Sequence, residues 1–575
     1  MPDDAEADCP SKGAVALLDN NTVEEQSDAD SRPGKRRKTT PNPNPRSTAK
    51  TNSSRTVQAL STHLPHSQPH LQTCPLPSRT HPLAYHTPLL LTLPSVRHSL
   101  LAWFSKTMHI RPMPWRKPFT PPSTLSRSAL SKRAYEVWIS EIMLQQTRVA
   151  TVVGYWSRWM QRWPTMGDLA RAEMDEVLRM WAGLGYYSRA RRVWEGARRV
   201  CADEELRGLL PGSVGELMEK VPGVGRYTAG AIAAIVFGVA APMVDGNVLR
   251  VLSRQMGVLG DVERDKRVVE VLWEAAEKLV QAVAADGDDR EVNDRPGQWG
   301  QALMELGSTV CTPKPNCSVC PITETCRAYA EGVALAEGNR EDVATLADIE
   351  DVCGLCVPLW EVGEQEDEEK ETKATDEKGL SPFFSTTKRA KPRPSRTTTS
   401  SDARTLRITI SHAQKFPFKK PKKQMRQEHT LVCAIRRTSD GHYLIHRRPE
   451  KGLLAGLWEL PSCTLLGLRD NTNERRKSKA TEYVVGLVKP GDRRKQMSST
   501  TAPKHVADLG SVPWQFSHLK LIMHVHLFEV DDVQTLSSSE DWQRWASAEN
   551  IDKESIGTGM KKCWMLVRTR TEEMG

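Results

Sequence analysis

The 575-residue sequence contains little apolar material, since 38% of its residues are hydrophobic and only 6% are aromatic. A composition this polar predicts that part of the chain does not fold. No apolar run is long enough to span a bilayer, which argues against an integral membrane protein. The first residues lack the apolar core of a signal peptide and the Arg-rich pattern of a transit peptide. At this length, two or three soluble domains are expected.

The charge balance is also weak, with 80 Lys and Arg against 71 Asp and Glu. An excess this small permits an anionic partner without establishing one. The 12 cysteines are clustered instead of evenly spread, which favours metal sites over a disulfide framework. Four of them, Cys311, Cys317, Cys320 and Cys326, are separated by five, two and five residues. This density predicts a small metal-binding loop, for which iron–sulfur and zinc are both chemically suitable.

Composition divides the chain into four parts. Residues 1–84 are polar and are predicted to be a disordered tail. Residues 85–330 have an almost entirely helical pattern, residues 331–427 form a connector, and alternation typical of strands begins at residue 428. Within the tail, the basic run 35–38 is either a nuclear import signal or an ordinary charged segment.

The segment from Tyr135 to about Trp156 is predicted to be one amphipathic helix. Its apolar residues, among them Trp138 and Ile142, recur at helical spacing and share a face. Glu141 lies beside that face, so its carboxyl group should be partly desolvated and its pKa raised. Such a group can act as a general acid, although a salt-bridged surface Glu is the simpler interpretation.

Two glycine-containing turns suggest contact with nucleic acid. The turn 183–188 carries Tyr186 and is followed by Arg189, Arg191 and Arg192. Tyrosine rings can wedge between bases and guanidinium groups can bind phosphates, although such tyrosines are equally often part of a core. The segment 221–230 reads as a helix-hairpin-helix, a sequence-independent grip on the DNA backbone. Its glycines and cation are Gly223, Gly225 and Arg226.

Asp245 is predicted to cap the helix that follows it, accepting hydrogen bonds from backbone amides. Amide hydrogen bonds keep a carboxylate ionised, so Asp245 should be anionic where Glu141 is protonated. Hydrolysis of a glycosidic bond uses such a pair, with an acid for the leaving group and an anion for the cationic sugar. An N-glycosidic bond poses the same electronic problem.

These motifs together resemble the MutY family of adenine DNA glycosylases, over about residues 86–330 and 428–565. The match rests on the helix with 140–147, the turn 185–189, the hairpin, 245–247 and the four cysteines, in that order. The resemblance implies an all-α helix-hairpin-helix glycosylase domain with a [4Fe-4S] loop and an α+β Nudix-like C-terminal domain. It also implies excision of adenine opposite 8-oxoguanine or guanine in double-stranded DNA.

The same resemblance assigns roles to individual residues. Glu141 would protonate adenine and Asp245 would stabilise the cationic sugar, with Tyr227 and Asn247 in support. The adenine pocket would be lined by Trp115, Arg116 and Gln301. Gln146 and Tyr186 would enter the base stack as the base is flipped. The cluster would be bound by Cys311, Cys317, Cys320 and Cys326, although the family usually has six residues, not five, between the first two.

Tyr227 also distinguishes this chain from endonuclease III-type enzymes, which resemble it but have a lysine after the hairpin. A phenol cannot form the Schiff base of a lyase, so a monofunctional enzyme is predicted. In the connector, Cys353 and Cys356 resemble the cysteines that animal members combine with an N-terminal histidine to bind zinc, and His86 occupies a comparable place. Two free thiols are the alternative. Leu380, Phe383 and Phe384 resemble a box that binds the replication sliding clamp, although chance is the better explanation.

The C-terminal domain begins with a predicted hairpin around the turn 440–441. The segment 447–459 resembles the start of a Nudix fold, but the Glu cluster that binds magnesium in Nudix hydrolases does not follow it. A binding domain without hydrolase activity is therefore predicted. Phe516, Ser517 and His518 match the family loop that senses 8-oxoguanine.

The prediction is a monomeric adenine DNA glycosylase of the nucleus, with a mitochondrial form as an alternative location. Two other functions remain open from the sequence: a bifunctional pyrimidine glycosylase/lyase, and a catalytically silent scaffold that binds lesions. Covalent trapping with borohydride would favour the first, and tight binding without base release would favour the second.

Overall fold

The coordinates come from a computed structural model, which describes the chain in several stretches. These are residues 79–286, 293–338, 352–359, 362, 400–420, 425–449, 452, 454–465, 472–488, 503–516, 519–531 and 542–574. The basic run 35–38 and the clamp-like box at 380–384 lie outside them. No helix in these stretches combines the length and the apolar character that a membrane crossing needs.

Residues 79–286 and 293–338 form a helical domain. Its α-helices are α1 Pro94–Ile110, α2 Arg127–Leu144, α3 Val149–Arg162, α4 Met166–Ala170, α5 Met174–Trp181, α6 Ser188–Ala202, α7 Val214–Lys220, α8 Arg226–Phe237, α9 Gly246–Met256, α10 Lys266–Ala285, α11 Arg295–Thr309 and α12 Arg327–Glu337. Local chemistry sets several of their ends. Pro94 begins α1, where its missing N–H costs nothing, and the Ser126 hydroxyl accepts a hydrogen bond from Ala129 N at the start of α2.

The helix predicted to run from Tyr135 to Trp156 is in fact two helices. α2 ends at Leu144 and α3 begins at Val149, and Gln146 between them has a left-handed φ of 54°. The ten residues from Ala134 to Met143 are all buried, so this part of α2 is surrounded on every side and does not present the single apolar face that was predicted. Glu141 therefore lies inside the domain, three residues before the end of a central helix.

The two largest apolar clusters among the described residues of the helical domain frame the site. The first contains α2 and a set of large tryptophans, among them Trp138, Trp159 and Trp181. The second contains α9, α10 and α11, with Val248 and Trp299 among its buried side chains. Because α2 belongs to one core and α9 to the other, Glu141 and Asp245 approach each other from opposite sides.

The folded domain extends beyond its expected limits at both ends. Arg79 and His81 lie in the segment predicted as a disordered tail, yet both are buried. Within the expected connector, residues 400–414 form the helix α13 Ser400–Gln414, which packs against α12. The buried carboxylate of Glu331 ties these parts together. It accepts hydrogen bonds from Arg79 Nη2 at 2.8 Å and Tyr85 Oη at 2.7 Å, and lies 2.8 Å from His412 Nε2.

The C-terminal domain is built on a seven-stranded sheet. Its elements are β1 Arg426–Arg437, β2 Tyr443–Arg447, β3 Trp458–Glu459, β4 Ser462–Leu465, α14 Asn473–Val488, β5 Lys504–Gln515, β6 Leu519–Val530, β7 Gln543–Ala546, α15 Ala548–Lys553 and α16 Thr558–Met574. The strand order is β3-β2-β1-β6-β5, with β4 paired to β1 and β7 to β2. β1 and β6 are parallel, and the other pairs are antiparallel. The predicted hairpin is confirmed as β1 and β2.

Alternating side chains divide the sheet into two apolar faces. Leu431, Cys433 and Phe528 pack with α14, whereas Val432, Val525 and Leu527 pack with α16. Trp564 is fully buried on the α16 face and Trp545 packs against the α14 face, whereas Trp542, just before β7, is exposed.

Candidate active site

A cavity of about 840 Å³ opens between the two helical cores. Residues from α2, α8, α9 and α11 and the loop after α1 line it. All the predicted catalytic and pocket residues are among them: Trp115, Arg116, Glu141, Tyr227, Asp245, Asn247 and Gln301. Gln146, predicted to enter the base stack, lies at the same cavity. The fold therefore brings together side chains that are up to 186 positions apart in the sequence, from 115 to 301.

Glu141 is 5% exposed, and its carboxylate Oε2 accepts a hydrogen bond of 2.6 Å from Tyr227 Oη. Burial raises the pKa of this carboxyl from 4.5 to about 7, and the negative charge of Asp245 acts in the same direction. The hydrogen bond from Tyr227 and the charge of Arg116 lower the pKa, but they do not overcome burial. Glu141 can therefore hold a proton near neutral pH, as a general acid must.

Tyr227 lies in the first turn of α8, just after the glycine hairpin. Burial, followed by the nearby charges of Glu141 and Asp245, raises its pKa well above the usual value. The phenol therefore stays protonated and acts as a donor to Glu141. Its oxygen also lies 3.1 Å from Met304 Sδ, which fixes the ring from the side of α11.

Asp245 caps α9, as predicted. Its Oδ1 accepts hydrogen bonds from the backbone N of Asn247 at 2.9 Å and of Val248 at 2.8 Å, and Oδ2 accepts one from Asn247 Nδ2 at 2.7 Å. Three N–H donors converge on one carboxyl group, which is an environment that suits an anion. Asn247 is itself held by Arg250 Nη2, which donates to its Oδ1 at 2.9 Å.

Close packing by a glycine fixes this cap against α11. A Cβ at Gly307 would lie 2.7 Å from Asn247 Cβ, so a larger residue there would displace Asn247. Arg250 also donates to the carbonyls of Gly307 at 2.7 Å and Cys311 at 2.9 Å. The position of the Asp245 carboxylate is therefore linked to the start of the cysteine loop.

The predicted adenine pocket forms one wall of the cavity. Trp115 is buried with its ring 5.9 Å from that of Trp156, edge to face. Arg116 Nη2 pairs with Glu305 Oε2 at 2.7 Å, whereas its Nη1 is buried without a hydrogen-bond partner among the described residues. Glu305 is buried and also pairs with Arg111. The sequence did not predict these two ion pairs, because neither arginine is near Glu305 in the chain.

The predicted DNA contacts lie at the rim of the cavity and on the hairpin. Gln146 and Tyr186 are both exposed, and both have a left-handed φ, 54° and 49°. In the hairpin, Gly223 has a φ of 80°, which favours glycine, and Gly225 is the N-cap of α8. Arg226 is half exposed, where it pairs with Glu270 and lies over a tryptophan ring.

The expectation that Arg189 meets DNA phosphate does not agree with its position. Its side chain is buried beneath the turn that carries Tyr186 and donates hydrogen bonds to backbone carbonyls. Arg191 and Arg192, two and three positions further along α6, remain half exposed and exposed. A sequence rich in arginine here could not reveal which guanidinium faces inward.

The four clustered cysteines lie close enough to affect one another's ionisation. Burial raises the pKa of the Cys317 thiol to about 11 and that of Cys320 to about 12, and neighbouring thiols add to both effects. The pKa of Cys326 is raised well above its usual value by burial and then by the other cysteines. Arg254 Nη1 donates to Cys311 Sγ at 3.2 Å, and the charge of the same arginine also acts on Cys317 and Cys320. Cys311 therefore lies in the same surroundings as these two cysteines.

A second group that could bind a metal combines the predicted His86, Cys353 and Cys356 with His81. Their ligand atoms all lie within 4.8 Å of one another. His86 Nε2 lies 3.0 Å from His81 Nε2, 3.2 Å from Cys353 Sγ and 3.4 Å from Cys356 Sγ. Ligands of a tetrahedral zinc ion are separated by about 3.3–3.8 Å, so the donor set fits. His81 was missed because it lay in the predicted tail.

The predicted 8-oxoguanine loop follows β5. Phe516 ends that segment and its backbone N donates to Leu519 O at 2.8 Å, across the turn into β6. Ser517 and His518 lie outside the described residues.

Comparison with known proteins gives matches for both domains. The profile of the HhH-GPD superfamily of base excision DNA repair proteins matches residues 139–278, and that of the NUDIX domain matches residues 431–566. The adenine DNA glycosylase of Homo sapiens is 36% identical over 475 residues, covering 81% of this chain and 72% of that protein. The adenine DNA glycosylase of Schizosaccharomyces pombe is 34% identical over 394 residues, covering 66% and 72%.

Two solved structures are also similar over single domains. A thermostable thymine-DNA glycosylase is 27% identical, with a TM-score of 0.32, and covers 40% of this chain and 93% of that one. The C-terminal domain of mouse MUTYH, solved in complex with human PCNA, is 24% identical, with a TM-score of 0.19, and covers 26% and 91%.

Proposed function

The chain belongs to the adenine DNA glycosylase family, and we propose that it removes adenine paired with 8-oxoguanine or guanine in double-stranded DNA. It is a DNA N-glycosylase, a hydrolase of base excision repair. The observation that carries the catalytic assignment is the hydrogen bond of 2.6 Å from Tyr227 to Glu141, in the cavity that Asp245 also lines. It places a neutral acid and a capped carboxylate around one space.

The reaction follows from these two environments. Glu141 donates its proton to the adenine ring, and the C1′–N9 bond breaks with its electron pair leaving on the base. The cationic sugar that forms is stabilised by the Asp245 carboxylate. Water then adds to C1′, and the Glu141 carboxylate takes back a proton. Tyr227 keeps its own proton throughout and orients Glu141, so no covalent enzyme–DNA intermediate through an amine is expected.

Single-turnover adenine release from a duplex with one A:8-oxoguanine pair tests this assignment. Glu141→Gln should lower the rate by about 10²–10⁴-fold while the duplex still binds, because a general acid contributes about that much. Asp245→Asn should have a comparable effect. Full cleavage by Glu141→Gln would reject Glu141 as the acid. Tight binding by the parent chain without base release would favour the scaffold, and borohydride trapping would favour a lyase.

The cysteine loop is proposed to hold a [4Fe-4S] cluster on Cys311, Cys317, Cys320 and Cys326. Burial, and then the neighbouring thiols, raise the pKa of Cys317, Cys320 and Cys326, and a metal cluster bound by all four cysteines would replace their protons. Bound there, the cluster would supply a rigid cross-link for the loop that Arg250 joins to Asn247. Visible absorption and iron analysis of the purified protein test it, with loss of both expected in Cys317→Ser. Unchanged iron content in that variant would contradict the ligand set.

The second group is proposed to bind zinc through His81, His86, Cys353 and Cys356. His86 Nδ1 lies 2.8 Å from Met256 O, which fixes the ring with Nε2 toward the other three donors. Zinc there would join the N-terminal segment to the connector. Zinc content measured by plasma emission should fall in His81→Ala without any change in visible absorption. Zinc retained in that variant would remove His81 from the set.

The C-terminal domain is proposed to recognise 8-oxoguanine through Phe516, Ser517 and His518. The nuclear location, the sliding-clamp contact and the monomeric state stay predictions from the sequence. Equal single-turnover rates for A:8-oxoguanine and A:guanine duplexes in His518→Ala, with the parent preferring the former, would support the assignment of this loop. An unchanged preference would contradict it.

A further inference from the structure

Arg189 lies at the junction of the two segments that meet the DNA duplex. The side chain starts from the first turn of α6 and is 7% exposed. Among the described residues it forms no ion pair with a carboxylate. Its hydrogen bonds go instead to the end of α2 with the loop after it, and to the loop before α6. Nearly all of its acceptors are backbone carbonyls, and a buried cation without a carboxylate partner is costly to place.

The first loop is the break between α2 and α3. Arg189 Nη1 donates to the carbonyls of Ile142 at 2.7 Å, Met143 at 3.1 Å and Gln145 at 2.7 Å. Nη2 lies 3.4 Å from Thr147 Oγ1. The guanidinium therefore binds the carbonyls that have no partner within the helix, at the end of the helix that carries Glu141, where a positive charge is favourable. Its contacts flank Gln146 on both sides.

The second loop is the turn that carries Tyr186. Nη2 of the same guanidinium donates to the carbonyls of Leu184 at 3.2 Å and Gly185 at 3.1 Å. Its Cζ also lies 5.4 Å from the centre of the Tyr186 ring. Arg189 N completes the turn by donating to Tyr186 O at 2.9 Å. One side chain thus connects both loops.

Both residues that this guanidinium flanks have strained backbones. Gln146 and Tyr186 have φ of 54° and 49°, a region that side-chain-bearing residues seldom adopt. Such conformations are unfavourable for residues with a side chain and persist only where the surroundings hold them. Arg189 supplies the surroundings for both. Although burial lowers its pKa to about 10, it remains a cation at neutral pH.

We propose that Arg189 is a positioning residue, which holds Gln146 and Tyr186 as one rigid pair so that they enter the duplex together and extrude adenine. The inference rests on the proposed function. Only arginine fits, because its planar group offers five donors in a fixed fork that can reach two loops at once. A lysine ammonium keeps the charge but can serve one loop only.

The test compares Arg189→Lys with the parent and with Arg199→Lys, an exposed arginine on the same helix. Adenine excision from the A:8-oxoguanine duplex should fall on the order of 10- to 100-fold in Arg189→Lys only, as expected for misplaced reacting groups. Extrusion is measured separately by the fluorescence of 2-aminopurine at the target position. The Glu141→Gln background blocks chemistry in that measurement, and the fluorescence rise should be lost when Arg189→Lys is added.

Several outcomes would overturn the inference. One is an unchanged excision rate in Arg189→Lys, and another is a reduced rate with an unchanged fluorescence rise. A third is a salt dependence of duplex binding that is weaker by about 0.9 in log–log slope, the signature of one lost phosphate contact. Equal thermal unfolding of variant and parent separates these results from misfolding. Absence of excision in the parent itself would reject the proposed function instead.

Discussion

Tyr227→Phe provides a specific test of how the site sets the charge of Glu141. The substitution keeps the ring and removes one hydroxyl, and with it the hydrogen bond of 2.6 Å to Glu141 Oε2. That bond favours the ionised carboxylate and is one of the two influences that lower a pKa otherwise raised by burial. Its removal should therefore raise the pKa of Glu141 further.

The magnitude follows from the strength of the bond. A hydrogen bond to a charged group contributes about 1.5–3 kcal/mol, and 1.36 kcal/mol corresponds to one pKa unit. The pKa of Glu141, about 7 in the parent, should therefore rise by roughly one to two units in the variant. Since catalysis needs the protonated acid, excision in the parent is at its plateau below pH 7 and falls as pH rises through it. In the variant, the fall should begin at higher pH, although the plateau rate itself should be lower because Glu141 is less well oriented.

The assay is the single-turnover excision rate between about pH 5 and pH 10, normalised to the plateau of each protein. Tyr483→Phe is the matched control, because its hydroxyl donates to Ser462 O at 3.1 Å in the C-terminal domain, away from the cavity. Its midpoint should equal that of the parent. A midpoint in Tyr227→Phe that is unchanged or lower would refute the claim that the phenol favours the carboxylate of Glu141.

Two further predictions concern stability. The pKa of Glu141 is about 2.5 above the usual 4.5, so the stability that its neutral form allows is complete below pH 4.5 and is lost as pH rises through 7. At pH 8 the free energy of unfolding of Glu141→Gln, measured with urea, should therefore exceed that of the parent by up to roughly 3 kcal/mol. The two free energies should converge near pH 4, and a difference that does not change with pH would contradict this. For Glu331, burial alone would raise the pKa, but Arg79 and His412 lower it, so its contribution is present at neutral pH and lost as pH falls. Glu331→Gln should lower the free energy of unfolding by about 3–5 kcal/mol at pH 7, because the buried Arg79 loses the negative charge of Glu331. Unchanged unfolding in urea would show that the network is not stabilising.

The sequence was sufficient for parts of the site that depend on local chemistry. Asp245 precedes a glycine and a helical pattern, so its role as an N-cap could be predicted, and the structure confirms it. The helix-hairpin-helix turn at 221–230 could also be predicted from neighbouring residues, because Gly223 and Gly225 stand two positions apart between helical patterns. The β1–β2 hairpin followed from alternation on both sides of a Gly turn.

The parts that could not be predicted depend on groups distant in the chain. The end of α2 was missed because the group that binds its last carbonyls, Arg189, is 44 residues after Gln145. Apolar residues continue at helical spacing on both sides of the break, so periodicity carries no sign of it. His81 was missed because a polar segment looks disordered until a fold is found that buries it.

The different environments of Glu141 and Asp245, the two carboxyls proposed to act in catalysis, follow from where each lies on its helix. In the body of a helix the backbone amides are bonded to carbonyls, so the buried Glu141 finds one donor, Tyr227, and burial prevails. At a helix start the amides are unpaired, so Asp245 finds two of them and the Asn247 side chain. One fold thus supplies both environments to the same cavity, which the ion pairs of Glu305 with Arg111 and Arg116 also line. A carboxyl moved from position 245 one turn into α9 would lose the unpaired amides that Asp245 binds, and one moved from position 141 to the exposed start of α2 would lose its burial. Either change would remove one of the two environments that the proposed chemistry needs.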